Sequence, residues 1–129
     1  MPSPGVEIED IVASLRSIEA NLGKLLSDAG GPSEMDVWRV YAGTEMAVAK
    51  LKARLDYETP GLRFVLPKGD DKALLEGAKE RLSRGLAALE SGRHAEAIGL
   101  LREARNMLRS YLTEKRRAAT RKKVVRPSG

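Results

Sequence analysis

Seven apolar residues near the start of the chain, Ile8, Ile11, Leu15, Ile18, Leu22, Leu25 and Ala29, follow one another at steps of three and four without a break. A β-strand returns to the same face every second residue, so this spacing excludes a strand. It matches the stripe by which α-helices pack side by side. The predicted helix begins near Pro4, whose fixed φ suits a first turn. It stops at Gly30-Gly31-Pro32, where glycine takes the left-handed C-terminal conformation at no steric cost. Such a stripe has to be covered, either by the rest of this chain or by a second copy of it.

The rest of the chain supplies three more helices. Ser33 is a good N-cap, with Asp36 three residues on, and it opens a helix whose apolar face is Val37, Trp38, Tyr41, Val48, Leu51 and Leu55. Thr59-Pro60-Gly61 ends that segment, and Leu62 to Pro67 reads as a short extended connection. Asp70 caps a third helix with the stripe Leu75, Ala78, Leu82, Gly85 and Leu89. Ser91-Gly92-Arg93 is a tight turn into a fourth, whose apolar arc is Ala97, Leu101, Ala104, Leu108, Tyr111 and Leu112. Only five residues are Phe, Trp or Tyr, so the core is aliphatic, which favours helices over sheets. The expected fold is all-α, a four-helix bundle made of two antiparallel helical hairpins. Residues 1–112 form the bundle domain, and 113–129 form a basic C-terminal extension, helical or otherwise.

Within residues 77–110, Gly85, Gly92, Ala97, Leu101 and Ala104 fall where a tetratricopeptide repeat keeps its small, turn and interface residues. The hairpin therefore resembles one unit of that family, with Ala88 in place of a large aromatic and Arg109 in place of the family's proline. No second copy of the unit follows, so the family's peptide-binding groove is not implied. The same hairpin also resembles the opening of HEPN-type helical domains. The Arg-then-His nuclease signature of that group is absent here, His94 being the chain's sole histidine.

Catalytic machinery is equally hard to find. With no cysteine there is no disulfide, thiolate metal site or thiol nucleophile. Phosphate-binding glycine loops and the H-E-x-x-H zinc motif are absent, and no serine has the His partner of a triad. His94 lies at a turn near Glu90 and Glu96, a poor metal set. Thr44 and Glu45 lie near the apolar face of the second helix, where a buried acid would be notable. Neither an enzyme, a cofactor nor a metal is expected. The N-terminus lacks a basic-then-apolar leader, and no apolar run is long enough for a membrane span, so a cytoplasmic protein is expected. Gln is absent, and Asn occurs only at Asn21 and Asn106, a habit of thermophilic chains and of GC-rich genomes alike.

Charge placement carries the functional expectation. Up to Ala104 there are 14 basic and 17 acidic residues, a net −3; from Arg105 onward there are 9 basic residues and one acid, Glu114, a net +8. On a helical wheel, Arg102, Arg105, Arg109, Arg116 and Lys123 share the arc beside the apolar one. Beyond Leu112 the apolar arc passes to Lys115 and Lys122, and unpaired buried ammonium groups are costly, so tight packing is expected to end there. The expected nucleic-acid contacts are Arg105, Arg109, Lys115, Arg116, Arg117, Arg121, Lys122, Lys123 and Arg126. They would neutralise phosphates without reading sequence, and the tail itself offers no aromatic beyond Tyr111 for stacking. Tyr57, Phe64, Val65 and Leu66 form the most apolar loop and are the candidate protein interface. The expected role is a small accessory subunit that docks on a larger assembly and holds DNA or RNA. The alternative is a helical interaction or scaffold module, homodimeric through the first stripe, with no nucleic acid bound.

Overall fold

A computed structural model of the chain describes residues 4–27, 33–54 and 70–124, with the side chains of 8–27, 33–53 and 70–118. Four helices account for nearly all of it: α1 Pro4–Ser27, α2 Glu34–Arg54, α3 Asp71–Glu90 and α4 His94–Val124. The described residues contain no strand, and the chain is an all-α bundle as expected. The expected loop interface at Tyr57, Phe64, Val65 and Leu66 lies outside the described residues, as does Leu55.

The helix ends follow from local chemistry. The Ser33 hydroxyl accepts the Asp36 backbone N–H at 3.2 Å and donates to the Asp36 carboxylate at 2.7 Å, a reciprocal cap on α2. Asp70 Oδ1 accepts the Ala73 N–H at 2.7 Å and starts α3. At the other end of α3, the Arg93 N–H reaches back to the Ala88 carbonyl at 2.8 Å and the Gly92 N–H to Leu89 at 3.1 Å. That pair of bonds requires a left-handed residue between them, and Gly92 has φ +80°. The turn is therefore set by one glycine.

The packing is a closed square. α1 packs beside α2 and α3, and α4 beside α2 and α3, while among the described residues the backbones of the diagonal pairs α1–α4 and α2–α3 nowhere come within 8 Å, Cα to Cα. Each adjacent pair is antiparallel. Between α1 and α3, Arg16 meets Glu90 at 2.7 Å and Glu19 accepts the Ser83 hydroxyl. Between α3 and α4, Lys115 meets Asp71 at 2.5 Å and Arg81 meets Glu103 at 3.5 Å. Trp38 lies beside Arg116 and Tyr41 beside Arg109 between α2 and α4. Between α1 and α2, Ile11 lies by Lys50 and Leu25 by Asp36. It follows that α2 and α3 run in the same direction across the diagonal, so α2 ends and α3 begins at opposite ends of the bundle.

The core lies along the axis of this square. Leu15, Leu22, Leu51, Leu82, Ile98, Leu101 and Leu108 are fully buried, each worth roughly 1.5–3 kcal/mol relative to exposure. The α3–α4 interface is the most extensive. At Gly85 a Cβ would lie 2.9 Å from Leu101 Cδ2 and 3.5 Å from the Ala97 carbonyl oxygen, so these two helices meet at that glycine. In α1, Ile11, Leu15 and Leu22 are buried and Ile8, Ile18 and Leu25 pack against the same core. The described residues of the stripe that could have served a second copy face the chain's own core.

A candidate nucleic-acid interface

Leu112 is the last buried residue of α4 among those described, and the apolar arc changes hands there as the wheel predicted. Lys115, which inherits that arc, is only half exposed. Its ammonium meets Asp71 of α3 at 2.5 Å and stands 5.4 Å from the Tyr111 ring centre. The hydrogen bond to Asp71, opposed by partial burial and helped by the carboxylate's charge, holds the Lys115 pKa above its ordinary value. A residue expected on phosphate is thus engaged inside the fold. A raised lysine pKa means stability that is fully present below the ordinary lysine range and lost as the pH climbs through the raised value. Wild type and Lys115→Met should therefore differ by a constant few tenths of a kcal/mol at neutral pH, both partners being half exposed. In thermal melts that gap should close only in strong alkali, and a gap that closes near neutrality would contradict the pairing.

The flank of α4 beside the core arc is basic. Arg105 is half-buried, its Nε enclosed and without a hydrogen-bond partner among the described residues, and its Nη2 lies 3.4 Å from Asn106 Oδ1. Arg109, Arg116 and Arg117 are exposed further along, Arg117 donating to Glu114 at 3.3 Å. Arg121, Lys122 and Lys123 fall within the α4 range, but their side chains, like all of Arg126, lie outside the described residues.

Two aromatic residues of α2 face this flank. The buried arc of α2 is Val37, Val40, Thr44, Ala47, Val48 and Leu51, centred differently from the stripe expected. Trp38 and Tyr41, expected in that stripe, lie to one side of the arc and turn toward α4. Trp38 remains 37% exposed. The Trp38 and Tyr41 rings meet edge to face, centres 5.5 Å apart and planes at 87°. The Arg116 guanidinium carbon stands 5.8 Å from the Trp38 ring centre, within cation–π range. Burial, with the nearby Glu45 carboxylate and its hydrogen bond, raises the Tyr41 pKa against the opposing charges of Arg109 and Arg105. Tyr41 therefore keeps its proton throughout the neutral range. A groove of ≈ 820 Å³ runs between the helices, lined by Trp38, Tyr41, Arg109, Leu112, Thr113, Arg116 and Arg117.

Inspection along α4 alone could not find this pairing, because the aromatic half comes from another helix. A signal did exist in α2: Trp38 and Tyr41 are one helical turn apart and sit beside the valine arc rather than within it. The other watched positions are unremarkable. Thr44 is buried with its hydroxyl donated to the Val40 carbonyl at 2.8 Å, and Glu45 is exposed. Among the described residues no cluster of three His, Cys, Asp or Glu side chains could hold a metal, and no helix is long and apolar enough to cross a membrane. No protein-family model, curated protein or solved structure matches this chain.

Proposed function

We propose that the chain is a non-enzymatic, cytoplasmic accessory subunit that docks on a larger assembly and binds nucleic acid without sequence preference. The binding element is the basic flank of α4 with the segment beyond it. The observation that carries this reading is the alignment of Arg109, Arg116 and Arg117 along one open side of α4, continuous in sequence with Arg121, Lys122, Lys123 and Arg126. Lys115 is held by Asp71 and Arg105 is half-buried, so of the nine expected contacts these seven make up the phosphate-binding set. Seven neutralised phosphates correspond to a slope of log affinity on log salt of about −5 to −6. Salt titration of binding to duplexes of unrelated sequence tests the proposal: similar affinities with that slope support it, and salt-insensitive or absent binding refutes it.

A second reading, an interaction module that pairs with its own copy, is favoured by one observation. Met35, Trp38, Ala42, Met46, Ala49 and Ala53 are all exposed and step along α2 by three or four. Glu34 and Arg39, and likewise Glu45 and Lys50, flank this stripe five residues apart on opposite sides, the register in which two parallel helices exchange ion pairs. A dimer mass in sedimentation, abolished by Ala42→Glu, would be the mark of this reading; a monomer throughout would dismiss it.

A further inference from the structure

Resting on the nucleic-acid reading above, we infer that the groove between α2 and α4 seats an unpaired base, so that the protein prefers single strands to duplex. Trp38 is the chain's only tryptophan and it stands at the surface, although the fully buried Val37 position is its neighbour. Its ring is not loose: Tyr41 abuts it at 87° on one side and Arg116 lies over it at 5.8 Å. An indole fixed beside guanidinium groups is the arrangement on which bases stack in single-strand-binding proteins, aromatic faces taking the base and cations following the backbone. Arg109, Arg117 and the Thr113 hydroxyl line the same groove and supply phosphate and sugar partners. Of the nearby carboxylates, Glu114 accepts from Arg117, which offsets its charge, and Glu45 does not line the groove.

The preference follows from access. In a duplex every base face is already stacked on its neighbours, so a rigid surface ring meets only sugar and phosphate. A single strand can splay a base into the groove without breaking a pair. Duplex and single strand then share the arginine contacts, and only the single strand gains the stack. DNA and RNA offer the same base face, so the inference covers both chemistries.

The lone tryptophan makes the test direct. Labelled short oligo(dT), oligo(U) and a mixed-sequence duplex are titrated against the full chain, reading oligonucleotide anisotropy and Trp38 emission together. Both single strands should bind more tightly than the duplex and quench the emission. Trp38→Ala should weaken single-strand binding by roughly 5- to 150-fold, weaken duplex binding far less and lower the melting temperature by only a few degrees, while Trp38→Phe retains most of the affinity and the melting temperature. Quenching by oligo(U) alone, or by oligo(dT) alone, assigns the site to that nucleic acid and supports the seat. Equal binding of strands and duplex, with emission and Trp38→Ala affinity unaltered, overturns this inference and leaves the basic-flank reading standing. No binding of any oligonucleotide at low salt overturns both.

Discussion

Truncation after Ala118 should leave the bundle folded and weaken nucleic-acid binding by on the order of 10³-fold at about 0.1 M salt. The cut removes Arg121, Lys122, Lys123 and Arg126 and keeps every described contact of the bundle, including Lys115 with Asp71 and Arg116 with Trp38. Four lost phosphate contacts should flatten the salt slope from about −5 to −6 to about −2 to −3, the remainder belonging to Arg109, Arg116 and Arg117. Stability should move by no more than ~0.5 kcal/mol, because Leu112 is the last buried residue of α4 among those described. The two readouts separate the roles of the two segments. A truncated protein with the full slope would show that the segment beyond the bundle does not touch phosphate. One that unfolds would show that it belongs to the core.

Leu15→Lys should destabilise the fold severely rather than change the oligomeric state. Leu15 has no exposed surface and lies at the centre of the α1 face. Shortening it to alanine would already cost about 2–5 kcal/mol, and an ammonium there has no described carboxylate within the core to meet. The total is expected to exceed ~4 kcal/mol, a large part of the 5–15 kcal/mol that holds an ordinary domain together. Met46→Lys, at a position 59% exposed, is the matched control and should stay within ~0.5 kcal/mol of wild type. Urea denaturation of both variants measures this. A Leu15→Lys protein that melts like wild type but sediments at half the mass would mean that the α1 stripe faces a second copy instead.

These expectations draw on the sequence and the structure in different proportions. Ile11, Leu15, Leu22, Leu82, Leu101 and Leu108 were legible because periodicity fixes which side of a helix is apolar. Ser33, Asp70 and Gly92 were legible because caps and left-handed turns are local chemistry. Periodicity says nothing about which helix lies opposite a given side. Spacing alone therefore puts Trp38 in a core stripe, whereas the neighbouring α4 makes its position the wall of a groove. The contact of Lys115 is equally invisible in α4 alone, because its partner, Asp71, stands at the start of another helix. Reading α4 by itself could find the arginines and the end of the packing at Leu112. It could not find the aromatic wall of the groove.

The square arrangement also governs how the chain tolerates changes in its connections. The α1–α2 and α3–α4 pairs are each antiparallel hairpins, and each presents two helix faces to the other. The stretch between Arg54 and Asp71 joins opposite ends of the bundle. Its sixteen residues can reach roughly 50 Å, against a length of roughly 30 Å for α3. The α3–α4 connection has no spare length of that kind: an added residue at Ser91-Gly92 would rotate α4 by about 100° against α3 and turn Leu101 away from Gly85.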